Sequence, residues 1–213
     1  MKKVILFDLD GTITDSGPGI ISCARLALEH FGITDVCEEE MRKFVGPPLQ
    51  YSFERLGVPK DQVDEAIRIY RSKYLVDGIF NSIVYPGMKE LLEKLHDEGH
   101  RLFVATSKPE FMAVQILDHF GLSRYFERIC GASTDTSRNK KEQVIEYLLE
   151  LTGVNSGIIM VGDTQFDVTG AAFHQIPTVG VTWGYGTKQS MVDVGAAAIA
   201  DTMEDLYDHI QNL

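Results

Sequence analysis

Val4-Ile5-Leu6-Phe7-Asp8-Leu9-Asp10-Gly11-Thr12 begins with four apolar residues and ends in two carboxylates separated by one leucine. A short apolar run with β-branched and aromatic residues at its ends has the pattern of a strand buried on both faces, as in a parallel sheet. Gly11 ends it. With a side-chain period of two, Asp8 and Asp10 project to the same side at the strand's C-terminal tip. Two carboxylates that close repel unless a cation or a shared proton relieves them, and a hard divalent metal with oxygen ligands does so. Taken alone, the stretch also reads as a strand with two solvent-facing aspartates before a turn.

A second stretch decides between these. Ile158-Ile159-Met160-Val161 runs into Gly162-Asp163-Thr164-Gln165-Phe166-Asp167 and so brings two more carboxylates to the tip of another buried strand. Around these two stretches the chain has two characters. Ile21, Ala24, Leu28 and Phe31 share one face of a helix entered at Pro18 and closed by Gly32. Further helices are expected at 38–44 and 49–56, and Val63, Ile67, Tyr70 and Tyr74 mark another within 59–76. No strand signal falls between 17 and 79. After Tyr85-Pro86-Gly87 strands alternate with helices. Strands are expected at 102–105, 128–130, 158–161, 178–181 and 198–200. Between them lie helices around Met88 to Leu95, one opened by Thr106-Ser107-Lys108-Pro109, and others at 141–151, 168–173 and 203–210. That order predicts an α/β fold: a doubly wound parallel sheet with an inserted all-helical cap, the core formed by 1–14 and 83–213 and the cap by 15–82. Ligands of such sheets gather at the carboxyl ends of the strands, where every motif above lies.

The 213 residues are 44% hydrophobic and 24% charged, an ordinary globular balance, with a formal net charge of −11. That charge opposes binding to nucleic acid or to an anionic membrane surface, but not to a small phosphate, which responds to local cations and backbone N–H groups. Cys23, Cys37 and Cys130 are scattered, without metal-ligand spacing, and read as buried, reduced thiols of a cytoplasmic protein. The N-terminal apolar run is too short for a signal peptide, and no run of about 18 apolar residues suggests a membrane span.

Asp-x-Asp-Gly-Thr near the start with a later Gly-Asp-x-x-x-Asp resembles the haloacid dehalogenase superfamily of aspartate-nucleophile phosphatases, over essentially the whole chain. The resemblance implies that Asp8 is the nucleophile and Asp10 the general acid and base. It also implies that Mg²⁺ is held by Asp8, the Asp10 main-chain carbonyl and Asp163, with Asp167 orienting metal water or the lysine. The family's dehalogenases lack the second acid, so Asp10 favours a phosphatase. Thr106 matches the family's phosphate-binding hydroxyl, with Ser107 adjacent, and a Ser or Thr there also serves as a helix cap. The family's lysine is Lys140 or Lys141, and Val144-Ile145 three residues on favours Lys141. The cap-loop residues Gly46, Pro47 and Leu49 are the expected contacts to the non-phosphate part of a substrate. Trp183 either faces the cleft or packs in its loop. No histidine is assigned to catalysis.

The reading that follows is a Mg²⁺-dependent phosphatase of small phosphate monoesters working through an aspartyl phosphate, similar to phosphoglycolate phosphatases and bacterial 5′-nucleotidases. Its partner is a small phosphorylated metabolite, with no nucleic acid and no membrane, and the chain is a monomer or homodimer. Alternatives are a pyrophosphatase or a sugar-phosphate phosphatase or mutase, and, in another class, a phosphoacceptor signalling domain or an inactive binding module. Pro47-Pro48-Leu49 lacks the basic residue that a mutase uses for a second phosphate.

Overall fold

Every residue of Val4–Phe7 (β1) is buried. Parallel partners occupy both of its edges, and helices cover the sheet on both faces, so an uninterrupted apolar run is what this position requires. A computed structural model of the chain describes residues 2–45, 49–135 and 137–213. The chain divides into two compact units, Met1–Asp15 with Val84–Leu213, and Ser16–Ile83.

In the first unit β1 is followed by the two-residue strand Thr14–Asp15 (β2). The second unit is helical: Gly17–His30 (α1), Glu38–Arg42 (α2), Leu49–Arg55 (α3) and Val63–Tyr74 (α4). Its core is built on Ala24, Ala27 and Leu28 of α1 with an aromatic group from Phe44, Phe53, Tyr70 and Tyr74. The Phe44 and Phe53 rings meet edge to face at 5.0 Å, and Tyr70 stacks on Tyr74 at 5.3 Å.

The short strand Ile83–Val84 (β3) pairs with β2. The first unit then continues with Met88–Asp97 (α5), Arg101–Pro109 (β4), Glu110–His119 (α6), Arg128–Ala132 (β5) and Lys141–Thr152 (α7). It ends with Ile158–Gly162 (β6), Gln165–Phe173 (α8), Thr178–Val181 (β7), Lys188–Asp193 (α9), Ala198–Ala200 (β8) and Met203–Asn212 (α10). The main sheet has the order β5-β4-β1-β6-β7-β8, parallel throughout. Leu6, Phe103, Ala105, Cys130 and Met160 pack on Val144, Ile145 and Leu148 of α7 and on Ala171 of α8. α5 and α10 pack on each other and on β4, β7 and β8.

The chain adds β4 and β5 on one side of β1 and then crosses to β6 on the other, so the winding direction reverses at β1. Phe7, the last residue of β1, is in register with Val104 of β4 and Val161 of β6, and β4 runs on past this level to Pro109. A reversal of this kind leaves a crevice at the carboxyl edge. Asp8 and Asp163 follow β1 and β6 directly at this edge, and Thr106 joins them from within β4.

Three local expectations are corrected. Thr106-Ser107-Lys108-Pro109 does not open a helix: the strand runs to Pro109 with an irregularity between Ala105 and Pro109, and α6 begins at Glu110. A residue preceding proline is pushed toward extended backbone, and this keeps Lys108 in the strand. Helix α8 starts at Gln165 rather than 168, because Thr164 and Asp167 form a reciprocal cap there. Cys37 is exposed, whereas Cys23 and Cys130 are buried.

Phe103 is fully buried where β4 meets α7. Phe103→Ala is expected to lower stability by about 3–5 kcal/mol in urea denaturation followed by circular dichroism. A loss below about 1 kcal/mol would contradict a close-packed centre of the sheet.

Candidate active site

Asp8 stands one residue past β1, with its side chain 13% exposed. Two donors converge on its Oδ1: the Leu9 backbone N–H at 2.7 Å and the Lys141 Nζ at 2.9 Å. The Thr106 hydroxyl on the neighbouring strand also favours the charged form of this carboxyl. Burial pushes the Asp8 carboxyl up to about 6, against the pull of the Lys141 ammonium, and the Asp167 charge adds to the rise.

Lys141 is the first residue of α7, and its side chain is 3% exposed. Its Nζ lies 2.9 Å from Asp8 Oδ1 and 2.8 Å from Asp167 Oδ1, and it donates to the Ala105 carbonyl at 2.9 Å. Burial works against its charge, but Asp167 and Asp8 outweigh burial and raise its pKa. Lys140, one residue earlier, turns outward with a side chain 70% exposed. Two fastenings set this phase. Gln143 Oε1 accepts the Asn139 and Lys140 N–H groups at 3.1 Å, and Arg138 bonds the Gly131 carbonyl at 2.9 Å and Glu110 Oε2 at 3.1 Å.

Asp167 is fully buried and divides its oxygens. Oδ2 accepts the Thr164 N–H at 3.0 Å and the Thr164 hydroxyl at 2.9 Å, capping α8, while Oδ1 meets Lys141. Helix cap and lysine partner are therefore one residue. Asp163 is also fully buried, and its Oδ2 accepts the Tyr185 N–H at 2.8 Å and its Oδ1 the Thr12 hydroxyl at 3.3 Å. Burial, with the Asp167 and Asp8 charges, holds the Asp163 carboxyl well above the usual carboxylate range. Glycine is required on two sides of it. A Cβ on Gly11, which has φ +86°, would stand 2.2 Å from Asp163 Oδ2, and one on Gly184 would stand 2.3 Å from the same oxygen. Trp183 is half-buried and its Nε1 donates to the Thr12 carbonyl at 3.1 Å, so it braces the turn after β1.

Oxygens of Asp8, Asp163 and Asp167 lie within 4.8 Å of one another. Three carboxylates against the single Lys141 ammonium leave a net −2 if all are ionised, in a setting where burial penalises every uncompensated charge. An all-oxygen donor set with that surplus fits a hard divalent cation.

The Asp10 carboxylate is directed elsewhere: the Lys108 Nζ reaches its two oxygens at 2.9 and 3.1 Å. Thr106 is buried and Ser107 exposed. Leu49 begins α3 with a half-buried side chain, and the expected contacts Gly46 and Pro47 lie outside the described residues. The sequence reading gave no role to Lys108, Thr12, Gly184 or Tyr185. The first carried a signal, since it lies two residues past Thr106 as Asp10 lies two past Asp8. The other three become visible only when the loop after β7 is seen folding back over Asp163.

The family model for haloacid dehalogenase-like hydrolases matches residues 5–181. A protein of Mycobacterium tuberculosis named tyrosine-protein kinase PtkA is 41% identical over 95% of this chain and 72% of its own. A 5′-nucleotidase of Pseudomonas aeruginosa is 38% identical over 88% of this chain and 86% of its own. A crystal structure from Clostridium acetobutylicum, described as a predicted phosphatase, superposes with a TM-score of 0.91 at 40% identity and covers 100% of both chains.

Replacing Lys141 by Met strands two buried carboxylates. Stability at neutral pH in the presence of a chelator is expected to fall by about 3–5 kcal/mol, measured by urea denaturation. The same change at Lys140 is expected to cost under about 0.5 kcal/mol. Equal effects at the two positions would contradict the geometry.

Proposed function

The chain belongs to the haloacid dehalogenase-like hydrolase family, and from that premise we propose that it is a Mg²⁺-dependent phosphatase of small phosphate monoesters that works through a phosphorylated Asp8. The observation that carries this reading is the Lys141 ammonium set between Asp8 and Asp167, 2.9 and 2.8 Å away, inside a cluster of buried carboxylates. A structural ion pair does not call for three carboxylates on one cation. A site that must accept a divalent cation and a phosphoryl group does.

Asp8 is the nucleophile. Its carboxylate oxygen forms the bond to phosphorus as the bond to the ester oxygen breaks, the electron pair leaving with that oxygen. The departing oxygen takes the proton of the Asp10 carboxyl. In the second half a water oxygen bonds to phosphorus as the Asp8 oxygen leaves, and the water's proton returns to Asp10. The Thr106 hydroxyl and the Lys141 ammonium hold phosphoryl oxygens, and Lys141 keeps Asp8 oriented through both halves. Asp8 and Asp163, with Asp167 and the Asp10 main-chain carbonyl, are the proposed donors to Mg²⁺. When bound, the ion neutralises the phosphoryl oxygens so that a carboxylate can approach a dianion.

The relative named 5′-nucleotidase supports a nucleoside 5′-monophosphate as the substrate, with phosphoglycolate as the second candidate. Ser107 is proposed as a further contact to substrate and Leu49 as the helical unit's contribution to substrate choice. The protein acts on a small metabolite as a monomer or homodimer, without nucleic acid. No helix among the described residues is long and apolar enough to cross a membrane.

The test is a panel of phosphate esters with Mg²⁺ and with a chelator. Hydrolysis is expected to stop with the chelator and to resume with Mg²⁺, and Asp8→Asn is expected to retain less than about a hundredth of kcat while melting as the wild type does. Activity that survives thorough metal removal, or Asp8→Asn turning over at a tenth of the wild-type rate, would falsify the assignment. Because one relative is named a tyrosine kinase, the panel includes ATP with a tyrosine peptide. Phosphate appearing on the peptide rather than in solution would redirect the reading to transfer.

A further inference from the structure

The tips of β1 and β4 carry matching pairs. Just past β1 come Asp8 and Asp10, and from the end of β4 come Thr106 and Lys108, each pair two residues apart. Thr106 favours the charged form of Asp8, and Lys108 bonds Asp10 through both carboxylate oxygens. The Lys108 side chain is 5% exposed, whereas that of Asp10 is 25% exposed. A long, flexible cation is thus the fixed member of the pair, and the short carboxylate is the one that reaches open space.

Several features hold Lys108 in place. The pairing of β4 with β5 breaks register between Ala105 and Pro109, a device that re-aims side chains beside active sites. The Thr106 hydroxyl accepts the Lys108 N–H at 3.2 Å. On β5, a Cβ at Gly131 would stand 2.5 Å from the Lys108 carbonyl oxygen, so only glycine lets the strand come this close. Arg138 fastens the same Gly131, which ties the seat of Lys108 to the entry of α7 and hence to Lys141.

We propose that Lys108 is a positioning residue for Asp10, restricting its carboxyl to the rotamer that faces the leaving-group oxygen. The inference rests on the phosphatase reading above. An acid or base works only within hydrogen-bond reach of the atom it serves. A carboxyl at a strand tip with open space beside it has several staggered rotamers, and the ammonium selects one of them. Each carboxylate oxygen has two lone-pair sites, so occupation of one by the lysine leaves a site for the proton exchanged with the ester oxygen. Lys108 does not itself touch the reacting atoms in this account.

The consequence is a dependence on the leaving group. An ester whose alcohol departs readily, such as p-nitrophenyl phosphate, needs little protonation, whereas an alkyl phosphate needs it fully. The ratio kcat/KM reads events up to departure of the alcohol, so the slower hydrolysis of the covalent intermediate does not obscure it. With Mg²⁺ present, Lys108→Met is expected to widen the gap in kcat/KM between alkyl and p-nitrophenyl esters by at least about tenfold, and Lys108→Arg to keep the gap near that of the wild type. In an Asp10→Asn background, Lys108→Met should not widen the gap further. Lys108→Gln, which keeps a donor but no charge, carries the same test if the Met variant melts below the assay temperature. An equal loss on every ester would make Lys108 a substrate contact and overturn the proposal, as would an unchanged gap or a further widening on the Asp10→Asn background. A wild type that hydrolyses no ester would remove the phosphatase reading itself, a different result from an active wild type whose Lys108 variants leave the gap unaltered.

Discussion

One buried ammonium between two carboxylates is the interaction on which the site depends. Lys141 lies 2.9 Å from Asp8 and 2.8 Å from Asp167, and the three come from α7, the tip of β1 and the first turn of α8. Buried ion pairs are poor devices for stability, because the desolvation they require often exceeds the attraction they return. This one adds a third carboxylate, Asp163, which worsens the imbalance. The fold carries that cost through its large apolar sheet and spends local packing to hold the charges still. Gly11 and Gly184 close on Asp163, Thr164 clamps Asp167, and the Arg138–Glu110 pair fixes the approach to α7.

The sheet explains why these residues meet. Reversal of winding at β1 puts β4 and β6 on either side of it, so that residues far apart in sequence meet along a single edge. Repulsion among the carboxylates would open such an edge in the absence of Lys141 and Lys108. Each of the two lysines faces one of the acids that follow β1: Lys141 the proposed nucleophile, Lys108 the proposed proton carrier. The two carboxylates of Asp-x-Asp are thereby given different surroundings, and different surroundings are what allow two identical groups to take different parts in one reaction.

Much of this is legible in the sequence itself. The apolar runs at Val4 and Ile158 are too short for helices and too uniform for half-buried strands, so their burial in a parallel sheet followed from pattern alone. The carboxylates at their ends followed from counting. The ambiguity between Lys140 and Lys141 is one of helix phase, which depends on where the first turn begins; Gln143 sets it by a local cap on Asn139 and Lys140, and the Arg138 contacts to Gly131 and Glu110 that fasten it are tertiary. Thr106-Ser107-Lys108-Pro109 was misread for a related reason. A Ser/Thr followed by a proline resembles a helix start, and nothing local reveals that Gly131 on another strand makes room for an extended, irregular backbone. The loop over Asp163, with Trp183 and Tyr185, was illegible because its contacts run to Thr12, Asp15 and Asp163, far away in sequence.

The central claim is that Asp8 becomes covalently phosphorylated, and the most direct measurement is an acid quench during turnover of a phosphate ester with Mg²⁺, followed by peptide mass spectrometry. The account predicts a phosphoryl group on Asp8 that appears within the first turnover and passes into inorganic phosphate when substrate is exhausted. Steady turnover with no acyl phosphate at any quench time, or a phosphoryl group on another residue, would contradict it.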